Sequence, residues 1–292
     1  MSVEFDAEQV PALPERPENG HKGTFGKVLL IGGSVGMSGA VCLSSVSALR
    51  SGSGLVTAAI PRSIQMVVAG HEPCVMTIGL ATDADGQLAL LSQELIQELL
   101  AGKDVVAIGP GLGQSVAAAE LVGVVLESCC VPLVLDADAL NVAAGGLFAR
   151  RRKETQCVIT PHPGEFSRLT GRSIINDEET RIEMAVEFAK THALTVVLKG
   201  QRTIVTNGER LFINATGNSG MATAGCGDVL TGIVASLLGQ KMAAFEAAAL
   251  AVHVHGRAGD LAASELGQRG MIASDLLNAL PQIWQKMEAI RT

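Results

Sequence analysis

No C-x-x-C pair occurs among the six cysteines of the 292-residue chain (Cys42, Cys74, Cys129, Cys130, Cys157 and Cys226). Their spacing also fits no disulfide framework, so structural zinc and disulfide staples are excluded as sources of stability. A secretory leader is missing too: Glu4, Asp6 and Glu8 stand where a positive region and an apolar core would be. No apolar run reaches membrane-spanning length without a polar residue or a glycine. Basic residues are outnumbered 22 to 29 by acidic ones, giving a net charge of -7, and the one basic cluster, residues 150–153, reads as a solvated helix end. These absences predict a cytoplasmic protein that partners neither nucleic acid nor membrane. With 17% charged and 48% apolar residues there is no room for a long solvated tail, and the length suffices for a large core.

Familiar nucleotide-binding signatures are absent as well. No G-x-x-x-x-G-K-[ST] occurs, which excludes a P-loop enzyme. The G-P-G-L-G run at 109–113 fails the dinucleotide fingerprint, because Gln114 stands where a further glycine is needed. His253 and His255, two apart in a helical stretch, face different directions and make no metal pair.

What the chain does have is a regular alternation. Strand candidates at 28–31, 55–60, 75–78, 105–108, 133–135, 158–160 and 195–198 alternate with helical stretches that include 40–50, 92–101, 115–128 and 178–192. That order implies an α/β fold, a mainly parallel sheet with helices on both faces. Apolar segments 203–206 and 211–215 flank N-G-E-R, a hairpin turn signal, so the sheet is expected to end in an antiparallel edge hairpin. Helices at 229–238, 243–265 and 273–290 follow, with Pro281 expected to kink or split the last. Residues 1–20, with Pro11, Pro14 and Pro17, read as an extended arm, and residues 21–292 as a single domain.

The stretch that carries chemistry is 214–240, N-A-T-G-N-S-G-M-A-T-A-G-C-G-D-V-L-T-G-I-V-A-S-L-L-G-Q. It reads as a glycine-rich loop entering a helix, where unpaired N–H groups and the helix dipole attract anions. Asp228 is an acid in that anion seat. One reading makes it a helix N-cap; the other makes it the base that takes a proton from a substrate hydroxyl while the backbone N–H groups of Gly225, Cys226 and Gly227 hold the phosphoryl group. In an open parallel sheet ligands bind beyond the carboxyl ends of the strands, which singles out four more loops. Residues 32–40 are glycine-rich. Asp136 and Asp138 end a strand and suit either Mg²⁺ held through water or the capping of the next helix. His162 lies between Pro161 and Pro163, with structural and ligand-contacting roles both open. Lys199 opens K-G-Q-R-T, either a cation with donors behind it facing the same seat or a solvated turn.

G-N-S-G-M-A-T-A-G-C-G-D-V-L-T-G, together with residues 22–40, 158–165 and 197–203, resembles the ADP-dependent NAD(P)H-hydrate dehydratases of the ribokinase-like superfamily, in order from about residue 20 to 280. The resemblance implies a ribokinase-like three-layer sandwich that uses ADP as co-substrate with Mg²⁺. Its substrates would be NADH hydrate and NADPH hydrate, repaired by phosphorylation of the ring hydroxyl and elimination of phosphate. It also implies a separate epimerase acting on the same hydrates, and a homo-oligomer, with a tetramer as one form. Carried over residue by residue, nucleotide contacts fall on Lys199, Gly200, Gln201, Arg202, Thr203 and Gly227, and hydrate contacts on Ala40, Gly113, His162 and Asp228. Where the family usually reads G-G-T-G-D this chain has A-G-C-G-D. Cys226 then has two readings, a thiolate activated by the helix start and Lys199, or an inert filler. A small-molecule kinase of the same superfamily and a non-catalytic nucleotide sensor are the competing functions.

Overall fold

Short runs of Val, Ile and Leu with apolar residues on both sides of the backbone must be covered on both faces, and the computed structural model, which describes residues 9–174 and 177–289, does this with one nine-stranded sheet between two layers of helices. The elements are β1 (Lys27–Ile31), α1 (Ser38–Arg50), β2 (Leu55–Pro61), α2 (Gln65–His71), β3 (Met76–Leu80), α3 (Gln93–Leu100), β4 (Val105–Ile108), α4 (Val116–Ser128), β5 (Leu133–Leu135), α5 (Asp138–Ala143), β6 (Cys157–Ile159), α6 (Pro163–Thr170), α7 (Glu178–His192), β7 (Thr195–Leu198), β8 (Ile204–Thr206), β9 (Leu211–Ile213), α8 (Cys226–Gly239), α9 (Ala244–Leu266) and α10 (Ala273–Ala289). Every strand expected from the sequence is present within two residues of its expected bounds.

Strand order is β3-β2-β1-β4-β5-β6-β7-β8-β9, parallel from β3 to β7 and antiparallel across β7, β8 and β9. The edge hairpin turns at Asn207-Gly208 as expected. Asn207 Oδ1 accepts from the N–H groups of Glu209 and Arg210, and Gly208 has φ 91°. The chain runs outward from β1 to β3 and then returns to lay β4 on the other side of β1, a topological switch point. There the loops after β1 and β4 meet. The Gly33 N–H donates to the Pro110 carbonyl at 2.8 Å, and a Cβ on Gly32 would stand 2.3 Å from that oxygen.

Alternate strand residues feed two cores. Val28 and Leu30 pack with α1, α8, α9 and α10, whereas Leu29 and Ile31 pack with α3, α4, α6 and α7. On the first face α8 crosses α1 with small residues between them: a Cβ on Gly232 would lie 1.9 Å from Ser47 Oγ and 2.1 Å from the Ser44 carbonyl. That close approach fixes the height of α8, and so of its first turn, over the sheet.

Two expectations need correction, and three helices lay outside the sequence reading. The helices α2, α5 and α6 are six to eight residues long, too short to carry a readable apolar stripe. Pro281 does not split the last helix: α10 continues through it, burying Ala273, Leu276, Leu277, Ala279, Leu280 and Ile283, an apolar face that outweighs one lost backbone bond. Ile290, the end first expected for it, lies outside the described residues. Within the basic run Arg151 is buried, not solvated, and its guanidinium donates to the carbonyls of Arg152, Thr155, His192 and Ala193. In the arm, residues 9–20 form no helix or strand, and Arg16 lies over the Phe25 ring at 3.8 Å while donating to the Gly52 carbonyl. Residues 1–8 of that arm lie outside the described part. Among the described residues no helix is long and apolar enough to cross a membrane.

Candidate active site

The first turn of α8 begins where a residue with φ 92°, Gly225, reverses the chain. A Cβ there would meet Leu43 Cδ1 at 2.6 Å and Ala273 Cβ at 2.9 Å, so glycine is required by conformation and by space. The first bond that closes the helix runs from Val229 N–H to the Gly225 carbonyl. The N–H groups of Cys226, Gly227 and Asp228 precede it and have no intrahelical partner. Asp228 is therefore the third residue of the helix and not its N-cap, a place filled by Gly225. Positive φ likewise belongs to Gly225; Gly227 has an ordinary helical backbone, and its missing Cβ leaves room beside Lys199 Nζ, which would be 3.2 Å away.

Lys199 follows β7 and is held from below. Its Nζ donates to Asp136 Oδ1 at 2.9 Å and stands 3.8 Å from Glu165 Oε2, while the other oxygen of Asp136 accepts from Thr231 Oγ1 at 2.7 Å. Burial works against the charge on Lys199, but Asp136 and Glu165 outweigh it and raise the ammonium above its ordinary pKa. Asp228 is treated the opposite way. Burial, then the charge of Asp136, push its pKa up to about 7 against the pull of Lys199, with Asp138 and Glu165 adding to the rise. No described side chain or N–H donates to its carboxylate. An aspartate poised near neutral pH, free to accept a proton, beside unpaired N–H groups and a fixed cation has what a general base for phosphoryl transfer needs.

The two carboxylates that end β5 have separate tasks, and neither caps α5. Asp136 is 1% exposed and committed to Lys199 and Thr231. Asp138 accepts from the Gly113 N–H and from Gln114 Nε2, both at 2.9 Å, and so holds the loop after β4. Between them Ala137 has φ 50° and ψ -119°, a strained backbone that turns the two side chains to different partners. Gly109 in the held loop has φ 129°, and a Cβ on it would collide with the Asp136 carbonyl at 1.8 Å. Ala40 lies against the same loop, 3.0 Å from where a Gly111 Cβ would be.

His162 is the N-cap of α6. Its Nδ1 accepts from the N–H groups of Gly164 and Glu165, while Glu165 reaches back to the His162 N–H, closing a capping box. The side chain is nonetheless half exposed, at 51%, with Nε2 3.4 Å from Glu165 Oε1, so its structural task does not bury the ring. In the K-G-Q-R-T segment Lys199 turns to the site. Arg202 pairs with Glu178, the Thr203 hydroxyl donates to the Gly200 carbonyl, and Arg181 donates to the carbonyls of Gln201 and Lys199. Of the side-chain donors expected to face the phosphate seat, Lys199 lies beside Gly227, while Arg202 and Thr203 serve protein acceptors. The thiolate reading of Cys226 is corrected as well: the side chain is 5% exposed and burial pushes its pKa up to about 11.

Sequence reasoning missed Glu165, Thr231 and His255 as site residues. Glu165 was legible as the acid of a capping box three residues after His162. Thr231 follows Gly227 by one helical turn, a spacing that puts both on one face. His255 Nε2 lies 2.8 Å from the Cys226 carbonyl, a long-range contact that carries no local signal.

A family model described as NAD(P)H-hydrate dehydratase matches residues 28–282, which takes in every strand after the first residue of β1 and every loop of this site. The chain belongs to that family. It is similar to an ADP-dependent (S)-NAD(P)H-hydrate dehydratase of Cenarchaeum symbiosum, 35% identical over 95% of both chains. A bifunctional NAD(P)H-hydrate repair enzyme of Moorella thermoacetica is 45% identical over 94% of this chain but 52% of its own length. The chain thus spans about half the length of the bifunctional relatives it matches. Among solved structures, the ADP/ATP-dependent NAD(P)H-hydrate dehydratase of Bacillus subtilis, co-crystallised with ATP and Mg²⁺, superposes with a TM-score of 0.81 at 32% identity, covering 94% of this chain and 95% of that one. The dehydratase family shares the ribokinase-like fold expected from the sequence, and the nine-stranded sheet with its antiparallel edge has that form.

Proposed function

We propose that this chain dehydrates NADH hydrate and NADPH hydrate at the expense of ADP, and that Asp228 is the catalytic base. The observation that carries the reading is the placement of Asp228, with a pKa of about 7, at the third position of a helix whose first N–H groups are unpaired. In the reaction Asp228 takes the proton of the hydroxyl on the reduced ring as its oxygen attacks the terminal phosphorus of ADP. AMP leaves with the electrons of the broken P–O bond. The ring nitrogen's lone pair then expels phosphate from the carbon, and loss of a proton from the neighbouring carbon restores the double bond. The N–H groups of Gly225, Cys226 and Gly227 form the anion hole for the moving phosphoryl group, with Gly227 and Lys199 against the nucleotide. Gly200, Gln201, Arg202 and Thr203 would line the nucleotide through backbone. Ala40, Gly113 and His162 would meet the hydrate, Gly113 being fixed for that by Asp138.

The donor set also bears on Mg²⁺. Among the described residues no three His, Cys, Asp or Glu side chains form a cage for a metal ion. Asp136, Asp138 and Glu165 already serve protein donors, leaving Asp228 as the free carboxylate. That suits an ion which keeps most of its waters and is brought by phosphate oxygens, neutralising their charge when bound. The six cysteines are free, which suits a reducing, cytoplasmic compartment. We take residues 21–292 as one catalytic domain behind a 20-residue arm. As the bifunctional relatives suggest, an epimerase would supply the reactive epimer, and a homo-oligomer, a tetramer in one form, would be the working assembly.

The test is incubation with NADH hydrate and ADP, followed by the absorbance of the reduced nicotinamide and by release of AMP and phosphate. Recovery of NADH in step with AMP is expected. Accumulation of a phosphorylated product without NADH would make the chain a kinase and end the proposal.

A further inference from the structure

Residues 214–225 form a long loop with a single 3-10 turn, Ser219–Met221, yet the helix start it leads into must hold three N–H groups in place for a phosphoryl group. The side of α9 facing it supplies the restraints. Asn214 Nδ2 donates to the Val252 carbonyl, the Thr216 hydroxyl to the His253 carbonyl, and Asn218 Nδ2 to the Gly259 carbonyl, while Asp260 accepts from the Gly217 N–H and from Asn218. Two glycines of α9 let the loop lie directly on the helix. A Cβ on Gly256 would be 2.1 Å from Thr216 Oγ1, and one on Gly259 would be 2.2 Å from Met221 Sδ.

The last restraint differs in kind. His255 Nε2 is 2.8 Å from the Cys226 carbonyl, and since a carbonyl oxygen only accepts, Nε2 must carry the proton and donate. That carbonyl belongs to the same peptide group as the Gly227 N–H. A donor on the oxygen draws electron density through the amide and makes the N–H at its other end a stronger donor, as in any chain of hydrogen bonds. Resting on the reading of this site as a phosphoryl-transfer centre, we propose that His255 is a positioning residue that orients and polarises the Cys226–Gly227 peptide so that its N–H stabilises the transferred phosphoryl group. His255 touches no reacting atom. Burial, with the repulsion of Lys199, pushes its pKa down to about 4, so the ring stays a neutral donor wherever Asp228 is ionised.

Two variants of equal length separate donation from packing. His255→Gln keeps an N–H at the position of Nε2, and His255→Met fills the space without one. The Met variant should lose about ten-fold in kcat, between the effect of one ordinary hydrogen bond and that of a whole anion-hole donor, with KM for the hydrate little changed, and Gln should restore most of the loss. In nucleotide-free protein the Cys226 carbonyl carbon and the Gly227 amide nitrogen should both move upfield in Met and return in Gln. Ring nitrogen shifts of the wild-type protein should show His255 protonated on Nε2 alone, a measurement that stands even if the Met variant does not fold. A wild-type tautomer protonated on Nδ1, or a Gln variant as slow as Met, would overturn the proposal. The chemical shifts do not depend on which substrate is repaired, so failure to act on NADH hydrate with these shifts intact would count against the dehydratase reading alone.

Discussion

At the scale of single residues, the site separates charge that is used from charge that is neutralised. Asp136 and Glu165 are answered by Lys199, and Asp228 is left as the group whose proton affinity the others set. Asp228→Asn should lower kcat by about two to four orders of magnitude, the usual range for a general base, while nucleotide binding persists. The wild-type rate should rise with pH through about 7 and then level, since the base must be unprotonated. Stability should move the other way. The folded pKa of about 7 exceeds the unfolded value of about 3.9, so the contribution of this group is complete below pH 4 and is lost as pH rises through 7. Melting curves should therefore find Asp228→Asn more stable than wild type at pH 8, with the gap closing toward pH 4; equal melting points at pH 8 would contradict the raised pKa. Cys226 belongs to this scale too. Alkylation with peptide mapping should modify the exposed Cys74 and Cys130 before it, with ADP having no effect on their order, because the Cys226 thiol is buried and fully protonated at neutral pH.

At the scale of elements, the proposed catalysis depends on where α8 starts, and that is decided along its length. Gly232, Ala235, Ser236 and Gly239 give α8 a narrow, buried flank, and its contact with α1 leaves no space for a methyl group at 232. Gly232→Ala should cost about 1–3 kcal/mol, the usual price of overpacking, and should lower kcat as well, because α8 must shift to admit the methyl. An undiminished melting point would mean that α1 yields instead. The strands and long helices were legible because each carries its own signal: alternating apolar runs, the Asn207-Gly208 turn, the apolar spacing of 229–238. The loop–helix junction proposed as the phosphate seat was legible for the same reason, since glycines and Asp228 lie within a few residues of one another. What could not be read was anything held by distant partners. Nothing near Asp136 announces Lys199, 63 residues on, and nothing near Cys226 announces His255. K-G-Q-R-T read as a cation with several donors facing the phosphate seat, but Glu178, at the start of α7, takes Arg202.

At the scale of the molecule, the topological switch between β1 and β4 gathers the loops after five parallel strands on one edge, while α8 and α9 approach that edge from one face. Because the seat is formed only when these elements are packed together, it exists in the folded state alone, and a nucleotide that occupies it must stabilise the whole fold by mass action. At one hundred times its dissociation constant, ADP should add about 2.7 kcal/mol, which for a chain of this size raises the melting temperature by about 4 °C. Gly227→Val serves as the control. Its new side chain points at Lys199 Nζ, the far end of a long side chain that can give by a few tenths of an ångström without leaving Asp136, so the fold should survive, while the space beside the helix N-terminus is filled. Thermal melts over a series of ADP concentrations should show a dose-dependent rise for the wild-type protein and little or none for Gly227→Val. An equal rise in both would place the nucleotide away from the first turn of α8 and remove Gly227 and Lys199 from its binding site.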